Sequence, residues 1–222
     1  TKALSSYEWI MSKGRSDFSE LAQIRTAAIY YHQQEYDQAR TIYIKLNKEA
    51  EVPSNIMDAR VGLMRCNYML KNYSDVIEAA NKVLYTDKIP EEIIREATFH
   101  LGKAYLETGK IDEAFDVFSV VAQDVTSEEG AEAKYHRAQI QFNKGQYAEA
   151  EKEVLDFLDK NANNQYWLAR AYILWSDIYM NKEDLFQAKA TLQILSENYE
   201  RTDDGIRSMV AERLKKIEDL EN

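Results

Sequence analysis

The chain has 222 residues, 45% of them hydrophobic, enough for a substantial core. Its 38 acidic residues outnumber 28 basic ones, and the resulting formal charge of −10 sets the surface as a whole against nucleic-acid backbones and anionic membranes. No apolar run approaches the roughly 18 residues of a membrane-spanning helix, and a single cysteine, Cys66, excludes an intrachain disulfide. With only two prolines and seven glycines, helix breakers are scarce, so the expected class is all-α.

In chain order, residues 1–13 come first, with Ala3, Tyr7 and Ile10 at helical spacing. A short pattern then recurs, a large residue, two further residues and a small one: Tyr36-Asp37-Gln38-Ala39, Tyr73-Ser74-Asp75-Val76, Ile111-Asp112-Glu113-Ala114, Tyr147-Ala148-Glu149-Ala150 and Leu185-Phe186-Gln187-Ala188. The final residues of these quartets are separated by 37, 38, 36 and 38 positions, a constancy that marks an internal repeat. Five units of two antiparallel helices are expected at 17–52, 53–89, 90–126, 127–163 and 164–201. Because Ala3 lies 36 positions before Ala39, residues 1–13 read as the second helix of a sixth, truncated unit. Residues 203–222 read as a capping helix, with Ile206, Met209, Val210, Leu214 and Ile217 on its apolar stripe and charged residues elsewhere. The opening half-unit has neither an initiator Met nor a signal-like apolar segment, so the expectation is the C-terminal part of a longer solenoid.

The flanks agree with the spacing. Twelve residues before the anchors stand Ala27, Met64, Gly102, Ala138 and Ser176, four of them small; four after stand Tyr43, Ala80, Phe118, Val154 and Leu192; seven after stand Leu46, Val83, Val121, Phe157 and Leu195. The small rows allow two helix backbones to approach, and the large rows fill the space between units, so neighbours must stack to bury them. Gly109 and Gly145, five residues before their anchors, suit helix C-termini. Pro53 and Pro90 suit first turns, Asp17 and Glu20 are spaced as a capping box, and Ser127-Glu128-Glu129 puts acids at a helix start.

These rows resemble the tetratricopeptide repeat family, in which a small residue on the first helix is followed by an aromatic three positions on and an Ala twelve positions on. Gly102, Tyr105, Ala114 and Phe118 carry the likeness most fully, with Ala27, Tyr30, Ala39 and Tyr43 next. The early Trp of the family is replaced by Gln23, Arg60, Thr98, Lys134 and Tyr172, and the units are longer than the usual ~34 residues. The resemblance implies a right-handed α-α superhelix, a solenoid that binds protein partners in a concave groove lined by the first helices. Long, Tyr-rich units also resemble bacterial cell-envelope proteins of this family, which leans the compartment towards the periplasm.

On that resemblance, candidate partner-binding residues lie eight and eleven positions before the anchors. The first row, Tyr31, Tyr68, Leu106, Phe142 and Met180, is either a floor for a partner's side chains or packing against a neighbouring helix. The second includes Arg65 and Lys103, cations that either meet a partner's carboxylate or balance local charge. The Lys of the carboxylate clamp found in chaperone-binding members is replaced by Ile24, Val61, Phe99, Tyr135 and Ile173. Glu96 with His100, and Glu132 with His136, repeat at a spacing of four, on one helix face in each case. They read as surface pairs or, together, as a zinc set; if His100 and His136 face the groove, binding changes between about pH 6 and 7.

No phosphate-binding loop, nucleophile elbow or zinc-protease motif occurs, and no catalytic residue, cofactor site or metal ligand set is assigned. The expected role is a non-enzymatic scaffold for a protein or peptide partner, not membrane-spanning and not nucleic-acid-binding. The alternative is an architectural segment of a longer solenoid that self-associates through its truncated N-terminal face.

Overall fold

The computed structural model describes residues 2–14, 16–160 and 163–221, with Asp17 described in its backbone alone. Among the described residues there are twelve helices and no strands. They are α1 (Lys2–Met11), α2 (Asp17–His32), α3 (Tyr36–Glu49), α4 (Pro53–Met69), α5 (Tyr73–Leu84), α6 (Glu91–Glu107), α7 (Ile111–Val121), α8 (Glu128–Asn143), α9 (Tyr147–Asp159), α10 (Gln165–Asn181), α11 (Leu185–Asn198) and α12 (Ile206–Glu221). Two compact units divide the chain, residues 1–114 and residues 115–222.

In the first unit each helix packs on the next from α1 to α6, and the first helices α2, α4 and α6 also touch in series. In the second unit α8 to α12 pack in the same consecutive way, with α8, α10 and α12 in series. Every anchor residue is buried, as are the rows twelve before, four after and seven after it. Full burial of a side chain such as Phe118 or Leu192 contributes about 1.5–3 kcal/mol relative to exposure. In the α10–α11 hairpin the two small residues meet: the Ser176 hydroxyl donates to the carbonyl of the anchor Ala188 at 3.0 Å, inside a fully buried crossing.

The turn inside each hairpin is the most regular local feature. Five residues before the anchors, Gln34, Lys71, Gly109, Gly145 and Glu183 all have φ between 59° and 74°, the left-handed region that glycine enters without strain. At each, the amide donates to a carbonyl three residues back and the following amide donates to one five residues back, the two bonds of a Schellman motif; Gly145 N to Phe142 O and Gln146 N to Gln141 O, both 2.9 Å, are typical. Two of the five were legible as glycines; the other three adopt the same turn with a side chain.

Helix starts partly depart from expectation. The capping box of α2 is built on Ser16 and Ser19, not Asp17 and Glu20: Ser19 N donates to Ser16 Oγ at 3.2 Å and Ser16 N to Ser19 Oγ at 2.8 Å. Glu20 is buried, and its carboxylate accepts from Glu51 N at 2.8 Å and Asn55 Nδ2 at 2.9 Å, fastening the start of α4 to α2. Pro53 opens α4 as expected, whereas Pro90 stands one residue before α6, as its N-cap. Ser127 accepts from Gly130 N at 3.1 Å and caps α8.

Candidate functional site

In the first unit, five sequence candidates share the face made by α2, α4 and α6. Tyr31, Arg65, Tyr68, His100 and Lys103 are all half-buried. The Arg65 guanidinium forks onto Glu96, with Nε and an NH2 group 2.5 and 2.6 Å from the two carboxylate oxygens. That bond holds the guanidinium even more firmly protonated than usual. Tyr68 meets the His100 ring edge-on at 4.7 Å, and Lys103 lies over Phe99 at 5.9 Å. Burial raises the Tyr31 phenol above its ordinary range, with Arg65 pulling the other way, so the two groups feel one another.

In the second unit the remaining two candidates lie in different surroundings. His136 stacks on Phe118 at 5.3 Å and meets Tyr135 and Trp167 at 5.6 and 6.0 Å. Its Nε2 is 3.2 Å from Glu132 Oε1. Beside this aromatic group, Arg170 lies over the Tyr135 ring at 4.9 Å and donates to its hydroxyl at 2.8 Å. Phe142 lies at the far end of α8 beside a cavity of about 260 Å³ that also takes in Met180 and the Asp177–Arg213 ion pair. Burial pushes the Asp177 carboxyl up, against the pull of Arg213.

The aromatic row eight before the anchors makes a second set of contacts. Tyr31 packs on Tyr36 at 5.3 Å, Tyr68 on Tyr73 at 6.4 Å and Phe142 on Tyr147 at 5.4 Å, each pair spanning its own hairpin turn. These rings therefore cover the turn, and all three are half-buried.

The two Glu–His pairs are used differently. His100 Nδ1 is 2.9 Å from the backbone carbonyl of Glu96, whose carboxylate is taken by Arg65, whereas His136 faces the carboxylate of Glu132. Among the described residues no group of three or more His, Cys, Asp or Glu comes together to hold a metal. Cys66 is buried and its thiol is pushed up to about 12 by burial, so it packs as a protonated side chain.

Sequence reasoning missed the work done where the family's Trp is absent. In α4, Arg60 donates to Asn47 Oδ1 at 3.3 Å and to Thr86 Oγ1 at 2.8 Å, joining α4 to α3 and to the end of α5. In α8, Lys134 is buried between Glu153 and Asp156 of α9, both at 2.5 Å, and Arg137 joins Glu153 at 2.6 Å. Arg60 and Lys134 each stand sixteen residues before an anchor, a spacing that was the available signal.

Comparison with known proteins agrees with this architecture. Residues 96–125 match the tetratricopeptide repeat family model. No curated protein matches the sequence. The crystal structure of YrrB, a TPR protein with an unusual peptide-binding site, superposes with a TM-score of 0.67 at 16% identity, over 96% of this chain and 99% of that one. MamA gives 0.64 at 19% identity, over 77% and 92%. TTC0263, a TPR protein of Thermus thermophilus, gives 0.54 at 19% identity, over 88% and 98%. At these identities the likeness is one of fold. Among the described residues, no helix is long and apolar enough to cross a membrane.

Proposed function

We propose that this chain, a tetratricopeptide-repeat protein, is a scaffold that holds a segment of a partner protein against its first helices. One observation carries the reading: in the first unit three successive first helices present Tyr31, Arg65, Tyr68, His100 and Lys103 as one half-buried strip of aromatic and cationic groups. Aromatic rings held by a neighbouring ring on one side give contact area at small entropic cost. Tyr68 is held by two rings, Tyr73 and His100. The peptide-binding site named for YrrB, which shares the fold, supports the reading by analogy.

Arg65 enters this reading as a group already paired. A partner carboxylate reaches it only by sharing or displacing Glu96. The test is a pull-down with the full chain and two variants, Tyr68→Ala and Lys103→Glu, matched for thermal stability. Loss of the same retained partner from both variants is the expected result; retention by both places binding elsewhere.

A second reading has its own observation. Because Tyr31, Tyr68 and Phe142 each spend one face on their own hairpin turn, and Arg65 is spent on Glu96, these groups also suit a purely architectural segment of a longer solenoid. That reading expects no partner to be retained by the wild-type chain, and self-association through α1, none of whose ten residues is buried.

A further inference from the structure

A cleft of about 270 Å³ opens between the second helices α3 and α5, on a different face of α4 from Arg65 and Tyr68. Arg40, Arg60 and Lys82 line it against two acids, Asp75 and Glu78. A local excess of cations runs against the chain's formal charge of −10. The pairing inside the cleft is uneven. Arg40 is met by Asp75 at 2.9 Å, and Lys82 by Glu78 in an exposed pair of adjacent turns. Arg60 is half-buried, yet its partners are all neutral: a carboxamide, a hydroxyl and, at 3.5 Å, the carbonyl of Lys82. Among the described residues no carboxylate lies within ion-pair distance of it. A partly desolvated guanidinium with only neutral partners keeps most of its attraction for an anion. The side chain is also pre-positioned, because Asn47 and Thr86 hold two of its nitrogens, so less ordering is left for binding to cost.

We infer that this cleft is a second binding site, one that takes a carboxylate from a protein partner, with Arg60 as the central contact and Arg40 and Lys82 on either side. Lys82 can turn towards the anion, since its pair with Glu78 is exposed and holds it weakly. The inference rests on the scaffold reading only for the origin of the carboxylate. The cleft is separate from the first-helix strip, so either site can fail its test alone.

The experiment follows the side-chain Nε–Hε resonances of Arg60 and Arg65 in the isotopically labelled full chain. Sodium acetate, and separately sodium phosphate, is added at ionic strength held constant with sodium chloride. Acetate is expected to move the Arg60 resonance along a saturating curve, while Arg65, locked on Glu96, stays in place. Equal, non-saturating shifts of both arginines overturn the site, and saturation by phosphate but not by acetate overturns the carboxylate. Arg60→Gln is expected to abolish the acetate-dependent rise in Tm. Should that variant fold poorly, Lys82→Gln serves, being exposed: its acetate midpoint is expected to weaken about threefold, as for loss of one surface charge contact, and an unchanged midpoint overturns the role of Lys82 and with it the site.

Discussion

The α4–α5 hairpin of the first unit and the α8–α9 hairpin of the second follow one plan with different chemistry. Each has a cation sixteen residues before its anchor, a left-handed residue five before, and a glycine that a β-carbon cannot replace without displacement. In α8 the cation, Lys134, is buried and neutralised by two carboxylates of its own hairpin. In α4 the cation, Arg60, is half-buried and held by neutral groups. Where a unit carries a cation at this position, the surrounding acids decide whether it is spent on the fold or kept for a ligand.

The glycines should show the largest difference. A β-carbon on Gly130 would lie 1.8 Å from the backbone carbonyl oxygen of Asp124, whereas one on Gly62 would lie 2.4 Å from the ring of Tyr43. Backbone yields less readily than a side chain. Gly130→Ala is therefore expected to cost about 3 kcal/mol, and Gly62→Ala nearer 1–2 kcal/mol because the buried Tyr43 ring must shift. Thermal unfolding of the two variants checks the order; equal costs would mean that the loop from Asp124 to Ser127 adjusts freely. Gly102 is buried in α6, and Gly102→Leu is expected to destabilise by about 1–3 kcal/mol through overpacking.

The turns come next. Lys71 and Gly145 hold the same left-handed conformation. Lys71→Gly is expected to stabilise by about 0.5–1 kcal/mol and Gly145→Ala to destabilise by about 1 kcal/mol, since a side chain there is strained. Denaturant midpoints measure both, and a destabilising Lys71→Gly would show that unfolded-state entropy outweighs the strain.

The smallest effect is one of pH. The Asp156 carboxyl is held below its ordinary 3.8, first by the hydrogen bond from Lys134. The folded state then takes up that proton less readily than the unfolded chain, so this stabilisation is present above pH 3.8 and fades as pH falls through and below it. Asp156→Asn should flatten that part of the acid-unfolding profile. An unchanged profile would remove Asp156 from the Lys134 network.

How much of this was legible depends on range. The rows that define the core recur at fixed short spacings, and burial of Ala39, Phe118, Phe157 and Leu192 follows from periodicity alone. The strip of candidates was legible as a row, but not its pairing: Glu96 reaches Arg65 from 31 residues away, and no local spacing announces such a contact. The turns at Gln34, Lys71 and Glu183 were obscured because composition names glycine, while the Schellman hydrogen bonds hold other residues in the same conformation. The cleft around Arg60 was hidden for a related reason. The missing Trp marked an unusual position, but its neighbours Asn47 and Thr86 lie in α3 and just past the end of α5.

The most direct test of the contrast is the thermal stability of Arg60→Met beside that of Lys134→Met, measured in the full chain at low salt. Removing Lys134 takes away the buried cation that Glu153 and Asp156 share, leaving them only Arg137 and the more exposed Lys160, and a loss of about 5–10 °C is predicted. Removing Arg60 strands only neutral groups within reach of water, and a change within about 2–4 °C is predicted. An Arg60→Met loss as large as that of Lys134→Met would show that Arg60 is as structural as its counterpart, and would contradict the account.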